Sequence, residues 1–204
     1  GCWDAFDASS LLMVAPNKSR GVNLKAILTH INLANLHTLS TLSLKSLPNL
    51  QTAILPSLLR TLDASSCCKL RKLQFKVQHA SANIRGGEFA NIVNPIGLVS
   101  LNLQGCRQLE VVDTFMTSSR LIHCQEIQIS WCKGLHLVIP RMLSLCAQLV
   151  SVGLRNVATD TCVTTLSKKC AQLQFADFAF SKKLTDGSIE SLLARCKCLL
   201  RCNL

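Results

Sequence analysis

The segment LVSVGLRNVATDTCVTTLSKKCAQLQFADFAFSKKLTDGSIESLLARCKCLLRCNL, residues 149–204, repeats itself and shows how the chain is built. It contains three copies of the pattern apolar-x-x-apolar-x-apolar, which begin at Leu149, Leu173 and Leu199. The same pattern begins earlier at Leu98 and Cys124, so that five copies follow one another at an even spacing of about two dozen positions. A recurrence of this length is typical of chains in which each unit is one supersecondary element and stacked units share a core.

A helix-like pattern lies between the strand-like ones. Asp160 and Asp186 stand at equivalent positions of successive copies, and Asp is a preferred residue at a helix N-cap. Apolar residues follow at helical spacing, as Val163 and Leu166 do, and basic residues come at the end of the segment. The sequence therefore predicts one strand and one helix in each unit.

Cysteines recur at fixed places in these units. One set stands three residues before a strand-like copy and the other eight residues after its start: Cys146, Cys170 and Cys196, then Cys106 and Cys132. This pattern resembles the leucine-rich repeats, and within them the cysteine-containing subtype, most closely over residues 170–199. The resemblance covers residues 98–204 and departs from the subtype at four positions that lack the expected cysteine: Pro95, Leu121, Val157 and Ser181.

The resemblance implies the fold and a class of function. The fold would be an α/β leucine-rich-repeat solenoid, with a curved parallel sheet on the concave side and helices or short turns on the convex side. By analogy alone, the repeats would form the substrate-recognition arm of an F-box-type ubiquitin ligase, whose adaptor would bind a segment preceding these residues.

The first half of the chain repeats less regularly. Strand-like patterns begin at Leu28, Leu39, Leu59 and Leu70, so that short and long separations alternate. The short separation leaves too few residues for a strand and a helix. Either one member of each pair lies on the return side of a repeat of about 20–22 residues, or one member is not a strand.

The chain accordingly divides into three regions. Residues 1–22 are predicted to be an N-terminal cap or a preceding segment, with a short helix within residues 3–14. Residues 23–97 are irregular short-type repeats that end in a loop around residues 76–97. Residues 98–204 are regular repeats, which we expect to be truncated because Leu204 occupies an inward position with no polar capping unit after it.

Composition limits the classes of function. The chain is 49% hydrophobic and 16% charged, which excludes intrinsic disorder, and no apolar run approaches the ~18 residues of a membrane span. The net charge of +11 favours acidic partners. Nucleic-acid binding is not expected, since the basic cluster lacks stacking aromatics apart from Phe75, which is predicted to point inward: Arg60, Lys69, Arg71, Lys72, Lys76 and Arg85.

The sequence predicts no catalytic, metal or cofactor site. Cys196, Cys198 and Cys202 are the densest cysteine cluster, but the repeat assigns Cys196 and Cys202 to the core. Cys124 follows a histidine, which suggests a nucleophile and its base, yet it holds an inward position. Reduced, packed thiols are therefore expected, and they favour the cytoplasm or nucleus.

Variable residues of neighbouring units form columns that are expected to project from the inner face of the sheet. The candidate partner-binding residues share this surface: Trp131, Asn156, Phe180, Arg155, Glu126, Phe175 and Asp177. Phe175 and Phe180 fit packing within a distorted repeat equally well. The predicted function is a protein-interaction module, either in a ubiquitin ligase, as a structural subunit docked in a large assembly, or in a recognition receptor or effector.

Overall fold

A computed structural model describes residues 5–7, 27–36, 38–75, 97–110 and 119–204. The chain is α/β, and its described residues form eleven short strands and three α-helices that lie wholly within them. The strands are β1 (Ala5–Asp7), β2 (His30–Asn32), β3 (Thr41–Ser43), β4 (Thr52–Leu55), β5 (Thr61–Asp63), β6 (Lys72–Phe75), β7 (Ser100–Asn102), β8 (Glu126–Gln128), β9 (Ser151–Gly153), β10 (Phe175–Asp177) and β11 (Arg201–Asn203). The helices are α1 (Ile139–Leu145), α2 (Asp160–Lys169) and α3 (Asp186–Arg195), with 3-10 turns at Ser119–Leu121 and Lys133–Leu135.

Eight strands form one long parallel sheet in the order β1-β3-β5-β7-β8-β9-β10-β11. In its last five strands the central residues of the predicted patterns pair side by side: Leu101, Ile127, Val152, Ala176 and Cys202. This register confirms the period read from the sequence, because a slip of one residue would turn every inward side chain outward. Below, one strand of this sheet together with the segment that returns to the next strand is called a unit.

A second parallel sheet, in the order β2-β4-β6, occurs in the first half of the chain. The patterns that begin at Leu39 and Leu59 form β3 and β5 of the long sheet, whereas those at Leu28 and Leu70 form β2 and β6 of the second sheet. All four patterns are therefore strands, and alternate patterns lie in different sheets, so the alternative in which one member of each pair is not a strand is wrong. Strand β4, which ends at Leu55 just before Pro56, lies between β2 and β6 and pairs with both.

Helices replace the second sheet in the last units. Cys146, Cys170 and Cys196 are the C-cap residues of α1, α2 and α3, as their recurrence suggested. The prediction that Asp160 and Asp186 are N-caps is wrong, because Thr159 and Thr185 hold those positions and each Asp is the first helical residue. The helix dipole favours a carboxylate anywhere in the first turn. An Asp at the start of a helix can therefore occupy the first helical position instead of the N-cap, as Asp160 and Asp186 do.

The Asp160 carboxylate also links two neighbouring units. It accepts hydrogen bonds from the backbone N–H of Thr185, at 2.9 Å, and from the Thr185 hydroxyl, at 3.0 Å. Hydrogen bonds from Ser188 and from Thr185 hold the pKa of Asp160 below its ordinary value. The helix starts of adjacent units are therefore tied together through a side chain.

The N-terminal region differs from its prediction where it is described. Ala5–Asp7 is a strand that pairs in parallel with β3, so the short helix predicted across residues 3–14 is wrong there. The rest of residues 1–22, and residues 76–96 of the predicted loop, lie outside the described residues. Within the described part of the chain, no helix combines the length and apolar character needed to cross a membrane.

A continuous core runs behind the long sheet and is built from the repeat leucines and buried cysteines. In successive units the thiols of Cys67, Cys106 and Cys132 donate hydrogen bonds to backbone carbonyls of the preceding unit, at 3.0, 3.0 and 2.9 Å. Ser181, which departs from the cysteine pattern, donates from its hydroxyl to the equivalent carbonyl of Leu154 at 3.3 Å. A small side-chain donor at this position therefore satisfies a buried acceptor, whether the atom is sulfur or oxygen.

Candidate functional site

The turns that follow the strands of the long sheet share an unusual backbone conformation. In each of six turns one residue has a positive φ, between 57° and 79°: Ser46, Ser66, Gly105, Trp131, Asn156 and Phe180. Glycine, asparagine and small polar residues are usual in the left-handed region, whereas a bulky side chain there is an outlier. Trp131 and Phe180 therefore stand where the backbone disfavours them.

Trp131 and Phe180 contact each other across an intervening unit. Their ring centroids are 5.7 Å apart and the rings are inclined at 39°. Asn156 lies between them in the stack, because the N–H of Trp131 bonds to the carbonyl of Arg155 and the N–H of Asn156 to that of Ala179. Phe180 is 64% exposed, so this aromatic pair lies on the surface and not in the core.

Arg155 and Asp177 form an ion pair beside the aromatic pair. The Nε of Arg155 donates to Oδ2 of Asp177 at 2.6 Å, and the two side chains remain 41% and 29% exposed. The other carboxylate oxygen of Asp177 accepts from the Ala179 N–H at 3.2 Å and from Nδ2 of Asn203 at 3.3 Å. Such a partly solvated pair contributes only about 0.2–1 kcal/mol to stability, but it holds both groups in fixed positions.

A cavity of about 240 Å³ opens next to this ion pair and is called here the ion-pair cavity. Phe175, which is 42% exposed, forms part of its wall, and Arg201 and Asn203 of β11 contribute polar groups. Phe178, two residues after the strand centre, is fully buried instead. The outward aromatic side chains of residues 173–180 are thus Phe175 and Phe180, while the inward one is Phe178.

The structure arranges the predicted site residues in two adjoining groups. Trp131, Asn156 and Phe180 lie in the turns beyond the strands, whereas the columns assigned from sequence set them on the face of the sheet. A second group surrounds the ion-pair cavity and consists of Arg155, Asp177 and Phe175. Arg155 and Asn156 are consecutive, so the two groups form one continuous surface.

Exposure differs among the other residues that the sequence predicts to project from the sheet. Ser130 and Ala179 are the equivalents of Arg155 in the neighbouring units, and the sequence predicts that this column projects from the sheet. Both are buried, so the column does not project uniformly. The hydroxyl of Ser130 accepts a hydrogen bond from the backbone N–H of Arg155 at 3.0 Å. Glu126 is exposed at the start of β8, in the same row of the sheet as Phe175, and accepts a hydrogen bond from Ser100 at 3.2 Å.

Burial suppresses the reactivity of the core cysteines, whereas Cys68 and Cys198 are exposed. Cys124 is fully buried, as its inward position predicted, and burial raises the pKa of its thiol to about 12. The same cause raises the pKa of Cys132 and of Cys170 to about 12. A thiol with such a pKa remains protonated near neutral pH and is a poor nucleophile. Among the described residues, no three His, Cys, Asp or Glu side chains converge on a point that could hold a metal ion.

Sequence reasoning missed several residues that line this surface. Arg201 lies in the same row as Phe175, so extending the columns by one unit would have found it. A second cavity, of about 460 Å³, adjoins Phe180 and is called here the lysine groove, since its lining includes Lys133, Lys182 and Lys183. No sequence signal groups Lys133 with Lys182 and Lys183, because they come from turns of different units.

Sequence comparisons assign no relatives. Compared with protein-family models and with curated protein sequences, the chain matches none. The geometry of the surface is therefore the basis for inferring a function.

Proposed function

We propose that the chain is a leucine-rich-repeat solenoid that acts as a protein-binding module. The observation that carries the proposal is the contact between half-buried Trp131 and exposed Phe180, both at positive φ. Residues held in sparsely populated backbone regions cluster at functional sites, where selection for another property outweighs their cost. Trp and Arg are also enriched among the residues that dominate binding energy at protein interfaces.

The proposed contact surface consists of the aromatic pair and the ion-pair cavity. A partner that covers Phe180 and Phe175 would remove apolar surface from water, and burial of such surface is worth about 25 cal/mol per Å². Arg155 and Asp177 offer a paired donor and acceptor in fixed positions for polar groups of the partner. An apolar centre beside oriented polar groups is the usual anatomy of a protein interface.

Two features support the narrower assignment to leucine-rich repeats. Units of nearly equal length place their strands side by side in a parallel sheet, and the last of them carry helices on the return side. The resemblance to the cysteine-containing subtype extends the proposal to the recognition arm of an F-box-type ubiquitin ligase. An F-box encoded upstream in the full-length reading frame would support that assignment, and another module there would contradict it.

The thiol hydrogen bonds support a cytoplasmic or nuclear location as part of this proposal. Cys106 and Cys132 donate their S–H groups to backbone carbonyls, and a sulfur in a disulfide has no proton to donate. Proteins that rely on reduced thiols are typical of reducing compartments.

The proposal is tested by comparing captured partners between matched variants. Trp131→Ala combined with Arg155→Ala should remove specific partners, while the melting temperature stays close to that of the wild type. The control is Leu193→Ala combined with Arg195→Ala, since both side chains are exposed on α3, away from the candidate surface. Quantitative mass spectrometry should show partners that are retained by the control and lost by the first variant. Equal capture by both variants would refute the proposed surface.

A further inference from the structure

We propose that the lysine groove binds a short acidic peptide segment that carries a bulky apolar side chain. This inference rests on the proposed protein-binding function, because it names the chemistry of the partner segment. The residues of the lysine groove lie outside the aromatic pair and the ion-pair cavity. The exception is Phe180, which belongs to both the aromatic pair and the lysine groove.

The groove combines a cationic rim with an apolar floor. Lys133 and His136 come from the turn after β8, and Lys182 and Lys183 come from the turn after β10. Val157 and Ala158, which belong to the unit between these two turns, are buried and form the floor of the groove. The exposed ring of Phe180 forms one side of it. The volume of about 460 Å³ lies within the range of about 300–1,000 Å³ that is typical of ligand pockets.

The charges of the rim are not balanced within the groove. No carboxylate is present among the described residues that line it, and the ion pair between Arg155 and Asp177 does not involve these lysines. The nearest acid along the chain, Asp160, already accepts two hydrogen bonds from Thr185. Three lysines around an apolar floor therefore leave an excess of positive charge, which attracts carboxylates from a partner.

The apolar floor indicates what accompanies those carboxylates. A freely soluble anion would gain little from contact with Val157, Ala158 and the ring of Phe180. A peptide with one aromatic side chain between acidic residues would place its ring against the floor and against Phe180, while its carboxylates reach the lysines. Aromatic contacts of this kind add to the free energy gained from burial alone.

The inference is tested with the full chain and defined peptides. The probe is a fluorescein-labelled Asp-Glu-Phe-Glu-Asp peptide, whose binding is followed by fluorescence anisotropy. A peptide with Lys and Arg in place of the acids, and one with Gly in place of Phe, serve as comparisons. We expect the acidic aromatic peptide to bind most tightly. Absence of binding at about 1 mM, or equal binding of the basic peptide, would overturn the inference.

Charge reversal in the groove provides the second measurement. Lys182→Glu combined with Lys183→Glu should weaken binding of the acidic peptide about tenfold, because two ion pairs are lost and replaced by repulsion. The same variant should gain affinity for the basic peptide. The matched control is Lys168→Glu combined with Lys169→Glu, an exposed lysine pair at the end of α2 and outside the groove, which should bind as the wild type does. Equal losses in both variants would show a nonspecific charge effect and reject the groove.

These outcomes are separable from those of the proposed function. Neither Trp131 nor Arg155 lines the groove, so the capture experiment with their alanine variant reports on the candidate surface without the lysines. Selective peptide binding with unchanged capture would reject the aromatic surface and keep the groove. Loss of capture without peptide selectivity would do the reverse.

Discussion

Replacing Phe180 with asparagine should weaken partner binding about thirtyfold while leaving the stability of the chain nearly unchanged. Phe180 has a φ of 64°, the same value as Asn156 in the preceding unit. A non-glycine residue in this region costs about 1–2 kcal/mol, and asparagine adopts it routinely. The substitution therefore removes strain from the folded state without adding the extra freedom that glycine would give to the unfolded chain.

The opposing loss is of similar size. Phe180 is 64% exposed, so roughly a third of a side chain whose full burial contributes about 1.5–3 kcal/mol is removed from water. The contact with Trp131 adds about 0.5–1.5 kcal/mol. Gain and loss together leave the free energy of unfolding within about 1 kcal/mol of the wild type. Leu173→Ala, at a fully buried position just before β10, should by contrast cost about 2–5 kcal/mol.

Two measurements on the same preparations check this reasoning. Urea unfolding followed by far-ultraviolet circular dichroism compares the midpoints of the wild type, Phe180→Asn and Leu173→Ala. Affinity for a captured partner should fall about thirtyfold for Phe180→Asn, the size expected for a residue that dominates an interface. A loss of stability above about 2 kcal/mol would mean that the aromatic pair holds the turns together, and the functional argument would then fail.

Three other predictions concern stability. Gly134→Ala should lower the free energy of unfolding in urea by about 1–3 kcal/mol, because the new methyl group would overlap the backbone carbonyl oxygen of Leu109. An unfolding midpoint equal to that of the wild type would contradict this close packing. Cys132→Ser should be more stable than Cys132→Ala by about 1 kcal/mol, because a serine hydroxyl can donate the hydrogen bond that the thiol makes, as Ser181 does at the equivalent position. Thermal unfolding of both variants would detect the difference. The pKa of the Cys124 thiol is raised from 9.0 to about 12, so the folded state favours the protonated thiol. The contribution of this preference to the free energy of unfolding is complete below pH 9. It declines by about 1.4 kcal/mol per pH unit as the pH rises toward 12. Replacing Cys124 with alanine should flatten the measured pH profile in that range, and an unchanged slope would argue against a buried thiol.

The sequence predicted the register of the long sheet because every unit has to return the same side chains to one core. Leu101, Ile127 and Val152 pair in consecutive strands as their spacing required. The second sheet follows from the sequence only as one of two alternatives, because an apolar pattern of period two does not state which sheet its strand joins. Pairing with a neighbour settles that choice, and the partner of β2 is β4, not β3, which follows β2 directly in the chain.

The candidate site was only partly predictable for a different reason. Arg155 and Asp177 follow from the columns, and their ion pair agrees with the prediction that they lie on one surface. The positive φ of Trp131 and Phe180 could not be predicted, because residue preferences argue against it. The lysine groove also escaped prediction, since its lining depends on how turns of three units lie beside one another.

The exchange of a second sheet for helices has a mechanical consequence. Strands of neighbouring units lie about 4.8 Å apart, and where β2, β4 and β6 form the return side, both sides of the stack have the same spacing. Packed helices need about 8–10 Å, so in the proposed solenoid α1, α2 and α3 would widen the helical side and curve the stack toward its strands. Trp131 and Phe180 belong to the units that carry helices, so under this proposal their surface would curve and fit a rounded partner.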